Sequence, residues 1–277
     1  MLDAINLNAL LYAGLGTGVT FLCTALGAAA VFLVKPATDA ASASRAKFME
    51  TISLGFAAGI MIAAAVWSLL IPALDMVESS GGIPWLWGTG GFLAGALFLK
   101  LLDSAMPHLH PGAAAPEGPK SKLHRAELLF IAITLHNMPE GGSVGLSAGL
   151  AGLSESPAAL TTAIALALGI GIQNIPEGAA VSLPMAQQGM SRMKAFLYGA
   201  LSGAVEPVCA IVTVLAIPVF LPVMPFLLAF AAGAMIYVVV EELIPAAHLS
   251  EHSDAGTLAV IAGFALMMAL DTALGCA

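Results

Sequence analysis

Long apolar runs recur from one end of the chain to the other, separated by short polar stretches. A helix needs about 20 residues to cross the hydrocarbon core of a bilayer. Runs of that length extend approximately from Leu7 to Val34, Met49 to Val77, Trp85 to Met106 and Ala126 to Leu150. Four more run from Pro157 to Met185, Ala195 to Ile217, Pro222 to Ala247 and Gly256 to Gly275. The pattern predicts an all-α integral membrane protein of eight transmembrane helices.

Composition agrees. Of 277 residues, 59% are hydrophobic and 9% charged, with a mean hydropathy of +0.96, whereas soluble domains carry about 25% charged residues. No polar block is large enough to fold separately, so residues 1–277 read as a single polytopic domain, with a flexible cytoplasmic loop at about 107–124. Asp3 and the lack of a basic segment before the first run argue against a cleaved signal peptide. Cys23, Cys209 and Cys276 have neither disulfide-framework nor zinc-finger spacing and read as small core residues. The net charge of -8 comes from 17 acids against 9 bases, and several acids sit inside apolar runs. That surplus points to cationic cargo and away from nucleic acid.

The bases orient the chain. Lys35, Arg45 and Lys47 lie between spans 1 and 2; Lys100, Lys120, Lys122 and Arg125 flank loop 3; Arg192 and Lys194 lie between spans 5 and 6. Basic loops stay in the cytoplasm. Loops 1, 3 and 5 are therefore expected inside, loop 7 ("HLSEHSD") with them, and both termini on the extracytoplasmic side of a cell (inner) membrane.

Two pairs of segments repeat. "FAAGIMIAAAVWSLLIPA" in span 2 matches "FAAGAMIYVVVEELIPA" in span 7 at Phe56/Phe230, Gly59/Gly233, Met61/Met235 and Pro72/Pro245, with one residue of slippage. "HNMPEG" in span 4 matches "QNIPEG" in span 5. Each pair is separated by an odd number of crossings, so its members run in opposite directions. The expectation is an inverted repeat of spans 1–3 and 6–8 around a central pair, the pattern of a transporter with a midplane site.

The chemistry lies in that central pair. His136 and Glu140 are one turn apart with Asn137 adjacent, and Gln173, Asn174 and Glu177 repeat the arrangement. Pro139 and Pro176 each remove a helix donor, leaving a carbonyl free beside these groups. Span 6 adds Glu206, also followed by proline. An ionised carboxylate at the bilayer centre costs about 2.5–3.5 kcal/mol even on insertion scales, and no Lys or Arg lies near these three. Two divalent cations would supply four positive charges against them. Imidazole, amide and carboxylate together suit zinc and its first-row neighbours better than magnesium or calcium.

These motifs, paired xNxPEG elements and an "EP" in span 6, resemble the ZIP family of zinc-regulated, iron-regulated transporter-like proteins, in particular its prokaryotic GufA-type branch. The resemblance covers essentially the whole chain. It implies zinc transport into the cytoplasm, often with cadmium, iron or manganese, by a homodimer in which spans 1, 4, 5 and 6 move against 2, 3, 7 and 8. It further implies a first metal position at His136, Glu140, Gln173 and Glu177 with Met61 as a soft ligand. A second position would use Asn137, Glu140, Asn174, Glu177 and Glu206, the glutamates of the two PEG elements bridging. Gln173 stands where many relatives have histidine and Asn174 where some have aspartate. By residue type alone Met61 reads as packing.

Other polar groups carry less. His108, His110 and His124 in loop 3 read either as an ion-accepting loop or as an ordinary linker. Glu241, Glu242, His248, Glu251 and His252 gather at the inner end of span 7, with Asp271 as a neighbour; the resemblance implies an exit-side metal position at Glu241 and Glu242. Asp103 reads as solvated at the inner end of span 3. An intramembrane metallohydrolase is the rival from another class, but no HExxH is present and His136 is the one histidine inside a span, so no enzyme is expected. A metal-selective channel would share every ligand.

Overall fold

The computed structural model describes residues 7–33, 40–105, 107, 119–120, 125–154, 156–187, 189–247 and 254–274; within these, some helix side chains, that of His136 among them, are not described. Among the described residues every regular element is helical: α1 (Leu7–Ala28), α2 (Ala30–Leu33), α3 (Ala40–Ala64), α4 (Ile71–Ser79), α5 (Pro84–Ala105), α6 (Arg125–Ser154), α7 (Pro157–Gln187), α8 (Arg192–Ser202), α9 (Val205–Phe220), α10 (Met224–Val238), α11 (Ile244–Ala247) and α12 (Ala255–Leu274). Among the described residues seven segments are long and apolar enough to cross a membrane. The remaining long helix, α6, has thirty residues and carries the polar "HNMPEG" motif.

The first helix has the polarity of a membrane rather than of water. Leu7, Leu11, Leu15, Val19, Leu22 and Leu26 line its exposed face, whereas Ala9, Ala13, Thr17, Thr20 and Thr24 are buried. Small residues inward let helices approach closely where lipid, not water, is the solvent. The three buried hydroxyls donate to carbonyls of their own helix, Thr17 to Ala13 O (2.6 Å), Thr20 to Thr17 O (3.1 Å) and Thr24 to Thr20 O (3.1 Å). They therefore enter the interior with no orphaned donor.

Four helix pairs organise the packing: α3 with α12, α5 with α10, α1 with α7, and α6 with α9. The apolar core between them includes Ile60, Met61, Leu166, Ile170, Leu228, Met235 and Met267. The α3/α12 and α5/α10 pairs use corresponding contacts. A Cβ on Gly263 would strike the carbonyl of Phe56, and a Cβ on Gly95 would strike that of Phe230.

The helices of spans 2 and 7 also share a defect. Ala65–Leu70 and Val239–Leu243 are wide π turns, each followed directly by Ile-Pro-Ala. The first is one residue longer, and that difference accounts for the one-residue slippage between the matched sequences. Extra residues of this kind are accommodated in helices as π bulges.

One expectation needs correction. Span 6 is not one continuous helix: it breaks at Gly203 and Ala204 between α8 and α9. Pro207 sits in the first turn of α9, where its missing N–H is tolerated. Span 2 itself runs as expected, Lys47–Ser79, on a helix that extends back to Ala40 through the polar "ASASRAKF". Nearly all of loop 3, with His108, His110 and His124, lies outside the described residues, as do His248, Glu251, His252 and Cys276. Cys23 and Cys209 are free and half-buried rather than fully core.

Candidate metal centre

The two PEG-bearing helices run unbroken through Pro139 and Pro176 and pack against each other, with α1 and α9 completing the surroundings. Two glycines set the spacing. A Cβ at Gly141 would collide with the backbone of Glu206, and one at Gly178 with the carbonyl of Thr24. The backbones of α6 and α9 therefore touch one residue beyond Glu140, and those of α7 and α1 touch one residue beyond Glu177.

Within this cage Asn137, Glu140, Gln173, Asn174 and Glu206 are all fully buried, and Glu177 is 1% exposed. Hydrogen bonds link Glu140, the adjacent Gln173 and Asn174, and Glu206 across α6, α7 and α9. Gln173 Nε2 donates to Glu140 Oε1. The next residue, Asn174, donates from Nδ2 to Glu206 Oε1 at 2.8 Å and, more weakly, to Thr20 O at 3.4 Å. Asn137 Nδ2 donates to Ser202 O at 3.0 Å, taking the carbonyl exposed by the break in span 6. Ser143 Oγ donates to Glu140 O at 2.7 Å.

Each amide thus directs its NH2 at a carboxylate or carbonyl and turns its oxygen elsewhere. Asn137 Oδ1, Gln173 Oε1 and Asn174 Oδ1 are buried with no hydrogen-bond donor. An unsatisfied buried acceptor costs about 1–3 kcal/mol, so three such oxygens, on the same two helices as Glu140 and Glu177, are suited to a cation. Among the described residues no three His, Cys, Asp or Glu side chains converge closely enough to hold an ion by themselves. Any ion held by the described side chains would therefore draw on the amide oxygens as well.

The outlying predictions divide. His136 lies on α6 one turn before Glu140, and its side chain is outside the described residues. Met61 is wholly buried in the apolar core with Ile60 and Ile170. Glu241 and Glu242 both occupy the second π turn, but Glu242 is buried while Glu241 is exposed. Asp271 does not join them. Its Oδ1 accepts a 2.6 Å hydrogen bond from Ser68 Oγ in the first π turn. The start of α12 abuts Ala247, close to Glu242, and Asp271 lies fifteen residues beyond Gly256, about 22 Å along the helix. Ser68 was missed by sequence reasoning, although it is the one polar residue in "AAAVWSLL".

Known proteins bear on this arrangement. A family model described as ZIP zinc transporter matches residues 119–271, which include both PEG elements and Glu206. A zinc transporter ZIPB of Bordetella bronchiseptica is 41% identical over 269 residues, covering 95% of this chain and 82% of its own. A zinc transporter ZIP11 of Bos taurus is 37% identical, covering 94% of this chain and 96% of its own. A zinc transporter GufA of Myxococcus xanthus is 37% identical over 212 residues, covering 76% of this chain and 81% of its own. Matching motifs, a helical membrane architecture and similarity along nearly the whole sequence make one conclusion plain: this chain belongs to the ZIP zinc transporter family.

Proposed function

We propose that the protein carries divalent transition-metal ions, chiefly zinc and secondarily cadmium, iron or manganese, across the cell membrane into the cytoplasm. The path runs through a site for up to two ions built from spans 4, 5 and 6. The observation that carries this reading is the burial of Glu140, Glu177 and Glu206 together with three donor-less amide oxygens. No Lys or Arg occurs on α6 beyond Arg125, on α7 or on α9. Ionised carboxylates at such depth cost about 2.5–3.5 kcal/mol each, and a divalent cation offsets that cost as it binds. The names of the relatives, all zinc transporters, support zinc as the principal cargo.

In this reading His136, Glu140, Gln173 and Glu177 take one ion, with Met61 adding a soft contact on rearrangement. Asn137, Asn174 and Glu206 share the second with the two PEG glutamates. Gln173 and Asn174 also hold Glu140 and Glu206 in place by hydrogen bonds before the ion arrives. Glu241 and Glu242 receive ions on the exit side. The matched π turns and the paired contacts of Phe56 with Gly263 and Phe230 with Gly95 support an inverted repeat of spans 1–3 and 6–8. The distribution of Lys and Arg supports cytoplasmic loops 1, 3 and 5 and extracytoplasmic termini. In this reading the chain is one membrane domain that works as a homodimer.

The test is zinc uptake into sealed proteoliposomes loaded with a fluorescent indicator, at equal reconstitution. Saturable entry is expected for the natural sequence and a fall to the protein-free leak for Glu140→Ala and Glu177→Ala. Uptake like that of the natural sequence in both variants, or none in correctly inserted natural protein across several metals, would overturn the assignment.

A further inference from the structure

Behind the metal centre, on the face of α6 and α9 turned away from α1 and α7, a cavity of about 360 Å³ opens toward α5 and α10. Phe98 of α5 and Leu227 and Ala231 of α10 form one wall; Gly142 of α6 and Val208 and Val212 of α9 form the other. Thr213 and Cys209 are its only lining residues with a hydroxyl or thiol. Along α9 it reaches from Val208 to Ile217, about 14 Å at 1.5 Å per residue. At its mouth Phe98, Val208 and Val212 are 48%, 59% and 59% exposed, on segments apolar and long enough to lie within the hydrocarbon.

We propose that this cleft binds one acyl chain of a bilayer phospholipid. Water is a poor occupant, because apolar cavities stay dry unless several polar partners converge. A void would forfeit the dispersion contacts of its walls. The volume falls within the roughly 300–1,000 Å³ of small-molecule sites, and the only apolar, slender and abundant molecules at this mouth are lipid tails. The floor includes Met138 and Pro139, between Asn137 and Glu140, so the tail packs on the reverse side of the metal-binding turn. Lipid composition thereby acts on the spacing of α6/α9 from α5/α10. The inference rests on membrane placement alone, so loss of zinc transport activity would leave it intact.

The experiment uses a phosphatidylcholine with a photoactivatable group midway along one chain. The full-length protein is reconstituted with it, solubilised, freed of loosely held lipid by gel filtration, irradiated and peptide-mapped. About tenfold more adduct is expected on Val208–Thr213 and Leu227–Ala231 than on the lipid-facing Leu258 and Ile261 of α12. Gly142→Leu projects into the cleft, where an added Cβ has only Thr213 Oγ1 at 4.0 Å, and should lower the cleft adduct to the α12 level. Ala216→Phe fills the same space from α9 and serves if the first variant does not fold. Adducts spread evenly over exposed faces, cleft adducts unaffected by filling, or a Cys209–Cys209 crosslink showing a second copy on this face would each overturn the proposal.

Discussion

At the scale of single residues, the amides of the candidate metal centre make contacts that a sequence motif shows only in part. The i, i+4 spacing of His136 and Glu140, and of Gln173 and Glu177, was enough to predict that each helix presents its polar groups on one face. It could not show that Asn137 donates to Ser202 O, because that bond joins residues 65 apart and depends on a helix break not apparent in the apolar run. The bond gives Asn137 a structural role alongside any ligand role. In Asn137→Ala the Ser202 carbonyl loses that donor in a buried setting, a cost of about 1–3 kcal/mol. A lower melting temperature in detergent and reduced zinc uptake are expected together; a variant with unchanged melting would show that the hydrogen bond contributes nothing to the fold. The Ser68–Asp271 pair was hidden for the same reason, its partners being 203 residues apart. Nothing in local spacing relates the two, and the acid was instead grouped with Glu241 and Glu242.

At the scale of elements, hydropathy located the spans well but not the irregularities inside them. Apolar length predicts that a helix crosses the membrane; it does not tell an α turn from a π turn, since one extra residue hardly changes the hydropathy of the run. The sequence did contain a trace of the π turns in the one-residue slippage between "FAAG" and "IPA" of spans 2 and 7. Small residues were the other legible signal. Gly141 stands where α6 meets the backbone of Glu206, whereas a Cβ on Gly18, on α1, would have nothing within 4 Å. Gly141→Ala should therefore push α9 from α6, separate Glu206 from Asn174, and abolish uptake with a marked fall in monodisperse yield. Gly18→Ala adds a methyl without a clash, replaces a poor helix former with the best one, and should match the natural protein in both assays. Equal behaviour of the two variants would mean that the close α6/α9 approach does not govern the site.

At the scale of the whole molecule, the arrangement joins a bundle carrying the candidate metal centre, α1, α6, α7 and α8/α9, to a second group made of the α3/α12 and α5/α10 pairs. Inverted repeats favour a carrier whose site faces each side in turn, yet the same ligands could line a channel, so ligand chemistry alone does not choose between them. Transport kinetics do. In a carrier the site must return after each delivery, and if it returns more slowly empty than reloaded, zinc inside the vesicle speeds entry of labelled zinc from outside. Proteoliposomes preloaded with unlabelled zinc should then take up isotopic zinc several-fold faster at first than empty ones, with flux saturating at high external zinc. A channel has no returning site: preloading would leave one-way entry the same or lower. Unsaturated flux insensitive to preloading would replace alternating access with a permanently open, ion-selective path.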